Sequence, residues 1–179
     1  MEPSNQMISV QIPKGFSHPL FFSHSNQIII LNNQLPFSEA IEQVPFMYDI
    51  AAYYQMNFYK PWEQIEESIP IVLEAWNKYK EDLASKFQKR DRKAASGTMV
   101  QSIVFFISIL FWINKRHVAV LLNWEHDAQN LEIKPINTIE RLTFIVDKPN
   151  HYHSFVQLSQ LFEELTKQYY KLIYIKSSR

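Results

Sequence analysis

Two histidines one residue apart, His151 and His153, stand just ahead of an apolar helical repeat and form the closest pair among the six histidines of the chain. Such a pair shares a metal ion only if further donors reach it, and His117, His126 and Glu125 are of the right type. No Glu-x-x-His or His-Glu-x-x-His pattern sets two donors on one helix face. On the residues alone, His151 reads as a solvated loop residue and His153 as the neighbour of a helix cap. No metal or other cofactor is expected. Asp49 lies between Tyr48 and Ile50 in an otherwise apolar segment. A carboxyl there is expected to be buried and hydrogen-bonded; acid–base work would need its pKa moved toward neutrality, whereas a bond to a tyrosine or a backbone group is the plainer reading. Glu63, Glu66, Glu67 and Glu74 fall on the polar side of a helical repeat and are set aside. The two glycines, Gly15 and Gly97, stand alone, so neither a phosphate-cradling loop nor a nucleophile elbow can be built from them. The absence of cysteine removes disulfides, thiolate metal sites and a cysteine nucleophile.

The basic run Lys86, Lys89, Arg90, Arg92 and Lys93 is the sharpest charged feature. Formal net charge is zero, but residues 1–82 carry four Lys against ten Asp and Glu, whereas 83–93 carry five cations against Asp91 alone. Several cations on one face would contact phosphates in a salt-dependent way, with Lys115, Arg116, Lys167 and Lys171 contributing if the fold gathers them. The plainer account is a set of cations favouring the negative end of a helix dipole. Aromatic residues concentrate early, from Phe16 to Trp62. A groove with stacking platforms is conceivable there, but large rings are above all what fills a helical core.

The elements that position these groups follow from periodicity. A length of 179 residues with 46% apolar and 20% charged residues is globular composition and fits one folding unit. Scarce glycine disfavours an all-β chain. Residues 1–35 read as an irregular arm, with only Gln27 to Leu31 resembling a short strand or buried turn, and 36–179 as a helical domain. Pro36-Phe37-Ser38-Glu39 predicts a helix start capped by Ser38, with Pro45 kinking that helix or marking its true start. Trp62, Ile65, Ile69, Val72, Trp76, Leu83 and Phe87 recur at helical steps, and Pro70 leaves open one kinked helix or two. Ala94 to Gly97 reads as a loop, Asp127 to Asn130 as a turn, and Thr138 to Val146 as a short helix. Val100 to Ile113 is the most apolar run, 14 residues against the roughly 20 a bilayer span needs, and is expected at the centre of the fold. Ser154 and Gln157 match a capping box ahead of the last helix. The expectation is an all-α bundle of four to six helices with an irregular N-terminal arm. Met1 to Ile12 shows no secretory pattern, so a cytoplasmic address without membrane insertion is expected.

Ser17-His18-Pro19-Leu20-Phe21-Phe22, Phe58-Tyr59-Lys60-Pro61-Trp62 and Glu74-Ala75-Trp76-Asn77 together resemble the YpoC-like proteins of Gram-positive bacilli. The resemblance implies no activity and transfers no functional residue; the placing of that family's genes near those of DNA repair and cell-wall synthesis would favour nucleic-acid or division-related roles. With no catalytic geometry in view, the residues favour a non-enzymatic module that binds a protein partner. The alternatives are a nucleic-acid-binding accessory protein using residues 86–93, and a small helical enzyme of unidentified substrate built around Asp49.

Overall fold

The computed structural model describes residues 7–22 and 27–178; parts of the arm (1–6 and 23–26) and the final Arg179 lie outside them. Three long helices make the body. Helix α3 (Ile65–Gln88) turns back through Lys89–Asp91 into α4 (Arg92–Trp112), and α7 (Tyr152–Ser177) lies across both. Helix α7 runs antiparallel to α3: Phe155 stacks on Phe87, Phe162 on Trp76, and the Tyr169 hydroxyl donates to the Ile65 carbonyl. Helix α4 is apolar all round because it is covered all round, with every residue from Ser102 to Ile113 buried. By length and composition it is able to cross a bilayer, yet two thirds of its most apolar stretch is enclosed by protein.

Shorter elements close the ends. Helices α1 (Phe37–Gln43) and α2 (Met47–Tyr53) precede α3. Helices α5 (Trp124–Gln129) and α6 (Thr138–Asp147) follow α4, and Arg141 holds α6 to α7 by bonding Gln157 and Glu164. The arm is not irregular throughout. Strand β1 (Met7–Gln11) pairs antiparallel with β2 (Ile28–Asn32), Ser9 opposite Ile30. Val10, Ile29 and Leu31 face the core while Met7, Ile28 and Ile30 face outward, the alternation of a half-buried sheet. The fold is therefore mostly helical with a small sheet, and the described residues form seven α-helices, more than the expected four to six.

Several local expectations are corrected. Pro70 does not divide α3, which is continuous from Ile65; the Ser68 hydroxyl caps nothing and donates to the Pro61 carbonyl. Pro45 does separate two helices, with Phe46 in a left-handed conformation at the start of α2. Ser38 lies inside α1 and makes no capping bond there. Ala94 to Gly97 is helical, because Asp91 accepts from the Ala94 amide and caps α4 just after the turn. Helix α5 ends at Gln129, inside the expected turn at Asp127 to Asn130. Ser154 does not cap α7; its hydroxyl reaches the Lys148 carbonyl, and Gln157 is engaged by Arg141.

Candidate functional site

Segments far apart in sequence converge on one open cleft of about 310 Å³. Helix α1 contributes Phe37, α2 Tyr48, the loop after α2 Tyr59, and α3 Glu67 and Ile71. The three rings touch one another: Phe37 lies 5.3 Å from Tyr48 and 5.4 Å from Tyr59, and the two tyrosines are 5.9 Å apart at 79°. This nearly perpendicular arrangement sets ring faces and ring edges side by side along one wall. Tyr48 is only 6% exposed and Tyr59 36%. Among the described residues neither hydroxyl bonds to protein; although the Tyr48 side chain is buried, its oxygen is not enclosed and opens to solvent. Burial, reinforced by Tyr59, pushes the Tyr48 phenol up to about 12, and burial together with the Glu67 carboxylate raises that of Tyr59. At neutral pH both are intact phenols, able to donate and accept. Glu67 forms no ion pair among the described residues, although its neighbours do: Glu63 bonds Lys60 and Glu66 bonds Lys176.

Asp49 is fully buried behind this cleft. Its Oδ1 accepts from the Trp112 indole at 3.2 Å and from the Val118 amide at 2.8 Å, while Oδ2 has no partner. Burial pushes its carboxyl up to about 7, against the pull of those two donors. The adjoining cavity, lined in part by Asp49, Ser108 and Trp112, measures about 10 Å³, the lower limit for a single water. The expectation of a buried, bonded carboxyl holds; its partners are an indole and a backbone amide, not a tyrosine.

The basic run forms the corner between α3 and α4. Lys86 is turned inward, bonding Asp82 and the Thr98 hydroxyl. Lys89, Arg90, Arg92 and Lys93 are exposed and make no ion pair among the described residues. Helix α7 begins beside this corner, for Tyr152, 58% exposed, packs its ring 5.8 Å from Phe87. The other cations considered do not join them. Lys115 neighbours Lys176 and Glu66 at the far end of α3, and Lys167 pairs with Glu163. His151 is exposed ahead of α7, the His153 ring packs on Phe144, and the His117 ring lies 5.1 Å from Trp62. Among the described residues no three His, Asp or Glu side chains meet to hold a metal ion.

The cleft was the feature least visible in sequence. Its rings come from positions 37, 48 and 59 on two helices and a loop, so no single helix face gathers them, and Glu67 reads as one more carboxylate of a solvated face.

A family model described as YpoC-like protein matches residues 66–177. The chain belongs to that family. The "Uncharacterized protein YpoC" of Bacillus subtilis (strain 168) is 35% identical over 111 residues, 62% of this chain and 68% of the relative. No solved structure matches. Of the three segments that carried the resemblance, Glu74 to Asn77 falls in the stretch matched by the YpoC-like model, and the other two precede it. The cleft straddles that boundary: Glu67 and Ile71 lie inside the matched stretch, whereas Phe37, Tyr48 and Tyr59 come before it.

Proposed function

We propose that this YpoC-like chain is a non-enzymatic, cytoplasmic protein-interaction module whose partner seats in the aromatic cleft. One observation carries the reading: an open cleft of about 310 Å³ is walled by touching rings, two of which hold phenol hydroxyls with no protein partner among the described residues. Recognition surfaces favour tyrosine because it gives large contact area and a polar tip at small entropic cost. The other buried polar centre, Asp49, adjoins a cavity too small for a substrate, which weighs against an enzyme built around it. The test is a photo-crosslinking amino acid placed at Tyr59 in the full chain inside cells, with Lys78 on the outer face of α3 as control. A discrete protein adduct at the first position and none at the second is expected; no adduct at either would overturn the proposal.

A second reading rests on a separate observation. Four cations that make no ion pair among the described residues share one corner with the exposed Tyr152 ring, a combination suited to phosphate contact and base stacking. Binding to single- and double-stranded DNA and RNA across a salt series, beside a variant with Lys89, Arg90, Arg92 and Lys93 changed to Gln, decides it. Loss of salt-sensitive binding in the variant supports this reading, and absence of binding at low salt eliminates it.

A further inference from the structure

We propose that the aromatic cleft is an arginine-side-chain receptor: the partner inserts a guanidinium between the Tyr48 and Tyr59 rings and the carboxylate of Glu67. This inference rests on the protein-binding reading above and gives it a chemical class. Three features of the cleft select a cation. Aromatic faces attract positive charge through their quadrupole. Glu67 lines the same cleft, exposed and without an ion pair among the described residues, so its charge is available to a visitor. Among the described residues no cation lines the cleft to compete for that carboxylate, since Asn33, Leu35, Phe37, Phe58 and Ile71 are all uncharged.

Acceptor geometry favours arginine over a simpler ammonium. A guanidinium carries five N–H donors in a plane that stacks on rings and forks onto a carboxylate. Four of the residues that line the cleft, Glu67, Tyr48, Tyr59 and Asn33, carry a side-chain oxygen. Tyr48 adds a polar tip to a largely buried ring: its hydroxyl has no protein partner among the described residues and is open to solvent, while its side chain lines a space large enough to admit a ligand group. A visitor that covers this hydroxyl displaces its water and must replace that bond, which favours a polar visitor over an apolar one.

The test uses the full chain with carbon-13-labelled tyrosine and two probes, acetyl-arginine amide and acetyl-citrulline amide, which share a shape and differ in charge. The arginine probe is expected to shift the Tyr48 and Tyr59 ring signals saturably and to bind roughly tenfold more tightly than the citrulline probe. Glu67→Gln should weaken the arginine probe severalfold and leave the citrulline probe unchanged; Tyr59→Phe, which keeps the ring, provides a second variant that preserves packing. Equal binding of the two probes, or no shift at either ring, overturns the proposal. Tighter binding of free arginine than of the blocked amide also overturns it, because the site would then serve a small molecule. A Tyr59 crosslink to a protein without arginine preference keeps the interaction module and removes its chemical class, so the two failures are distinguishable.

Discussion

The Trp112 indole donates to Asp49 at 3.2 Å across 63 residues of chain, tying the end of α4 to α2 at a point where no solvent reaches. The Val118 amide donates to the same oxygen, so one carboxyl fixes both the end of α4 and the strand of chain that leaves it. Its titration is consequently written into the stability of the fold.

Asp49 has an ordinary value of 3.8 and is pushed up to about 7 in the fold. Below the lower value both folded and unfolded chains hold the proton; between the two only the folded chain does; above the upper both are ionised. Stability from this group is therefore complete below pH 4 and is lost as pH rises toward 7, by a few kcal/mol at most. His18 and His117, both lowered chiefly by burial, slope the other way, losing stability as pH falls below 6.5. Urea unfolding of the wild type and Asp49→Asn from pH 4 to 8 should give curves whose difference slopes across this window. Parallel curves would show that Asp49 does not titrate there.

Asn114 clamps Ile133. Its Oδ1 accepts from the Ile133 amide at 2.9 Å, and its Nδ2 donates to the Ile133 and Leu110 carbonyls, each at 2.8 Å. Asn114→Ala strands these half-buried groups and should cost about 2 kcal/mol in chemical denaturation. Asn114→Asp keeps the acceptor but sets a charge against two carbonyl oxygens, so its deficit should be larger at pH 7 than at pH 4. A pH-independent deficit would contradict the clamp.

Trp76 and Phe162 are stacked at 4.1 Å and 9°, with Phe106 edge-on to Phe162. In a double-mutant cycle with Trp76→Leu and Phe162→Leu, the two losses should be non-additive by roughly 0.5–1.5 kcal/mol. Strict additivity would mean that the rings contribute area alone.

Asp91 both caps α4 and is the one acid within residues 83–93. Asp91→Ala should destabilise by about 1 kcal/mol. Asp91→Asn keeps an oxygen for the Ala94 amide and should leave stability nearly unchanged while making the corner one charge more positive. If the corner binds phosphate, this second variant tightens binding and steepens its salt dependence; unchanged binding separates the corner from any nucleic-acid contact.

Much of the helical frame was legible because burial writes a period into sequence. Trp62 to Phe87, Val100 to Ile113 and Phe155 to Leu172 each announce a helix, and α3, α4 and α7 are what they announce. Only half of the sheet was legible: Gln27 to Leu31 reads as a short strand or buried turn and falls on β2, whereas β1 pairs with it across a separation with no short turn to mark it. Caps misled for a related reason: Ser38 and Ser154 have the right side chain, but tertiary carbonyls or an earlier helix start claim the position. Asp49 could be placed inside by its apolar neighbours, whereas Trp112 and Val118 as its partners are products of tertiary folding. The cleft is further still from local pattern, because it exists only where the ends of α1 and α2 meet the first turns of α3.

The enclosure of α4 also has a consequence for the order of synthesis. Helix α3 is made before it, but its other long neighbour, α7, starts only at Tyr152. At roughly 5–20 residues per second, the nascent chain presents one flank of its most apolar helix for some seconds before Phe162 exists to cover Phe106. Truncations that stop short of α7 leave that flank open for good, and such fragments should be recovered bound to chaperones or membranes while the full chain is not.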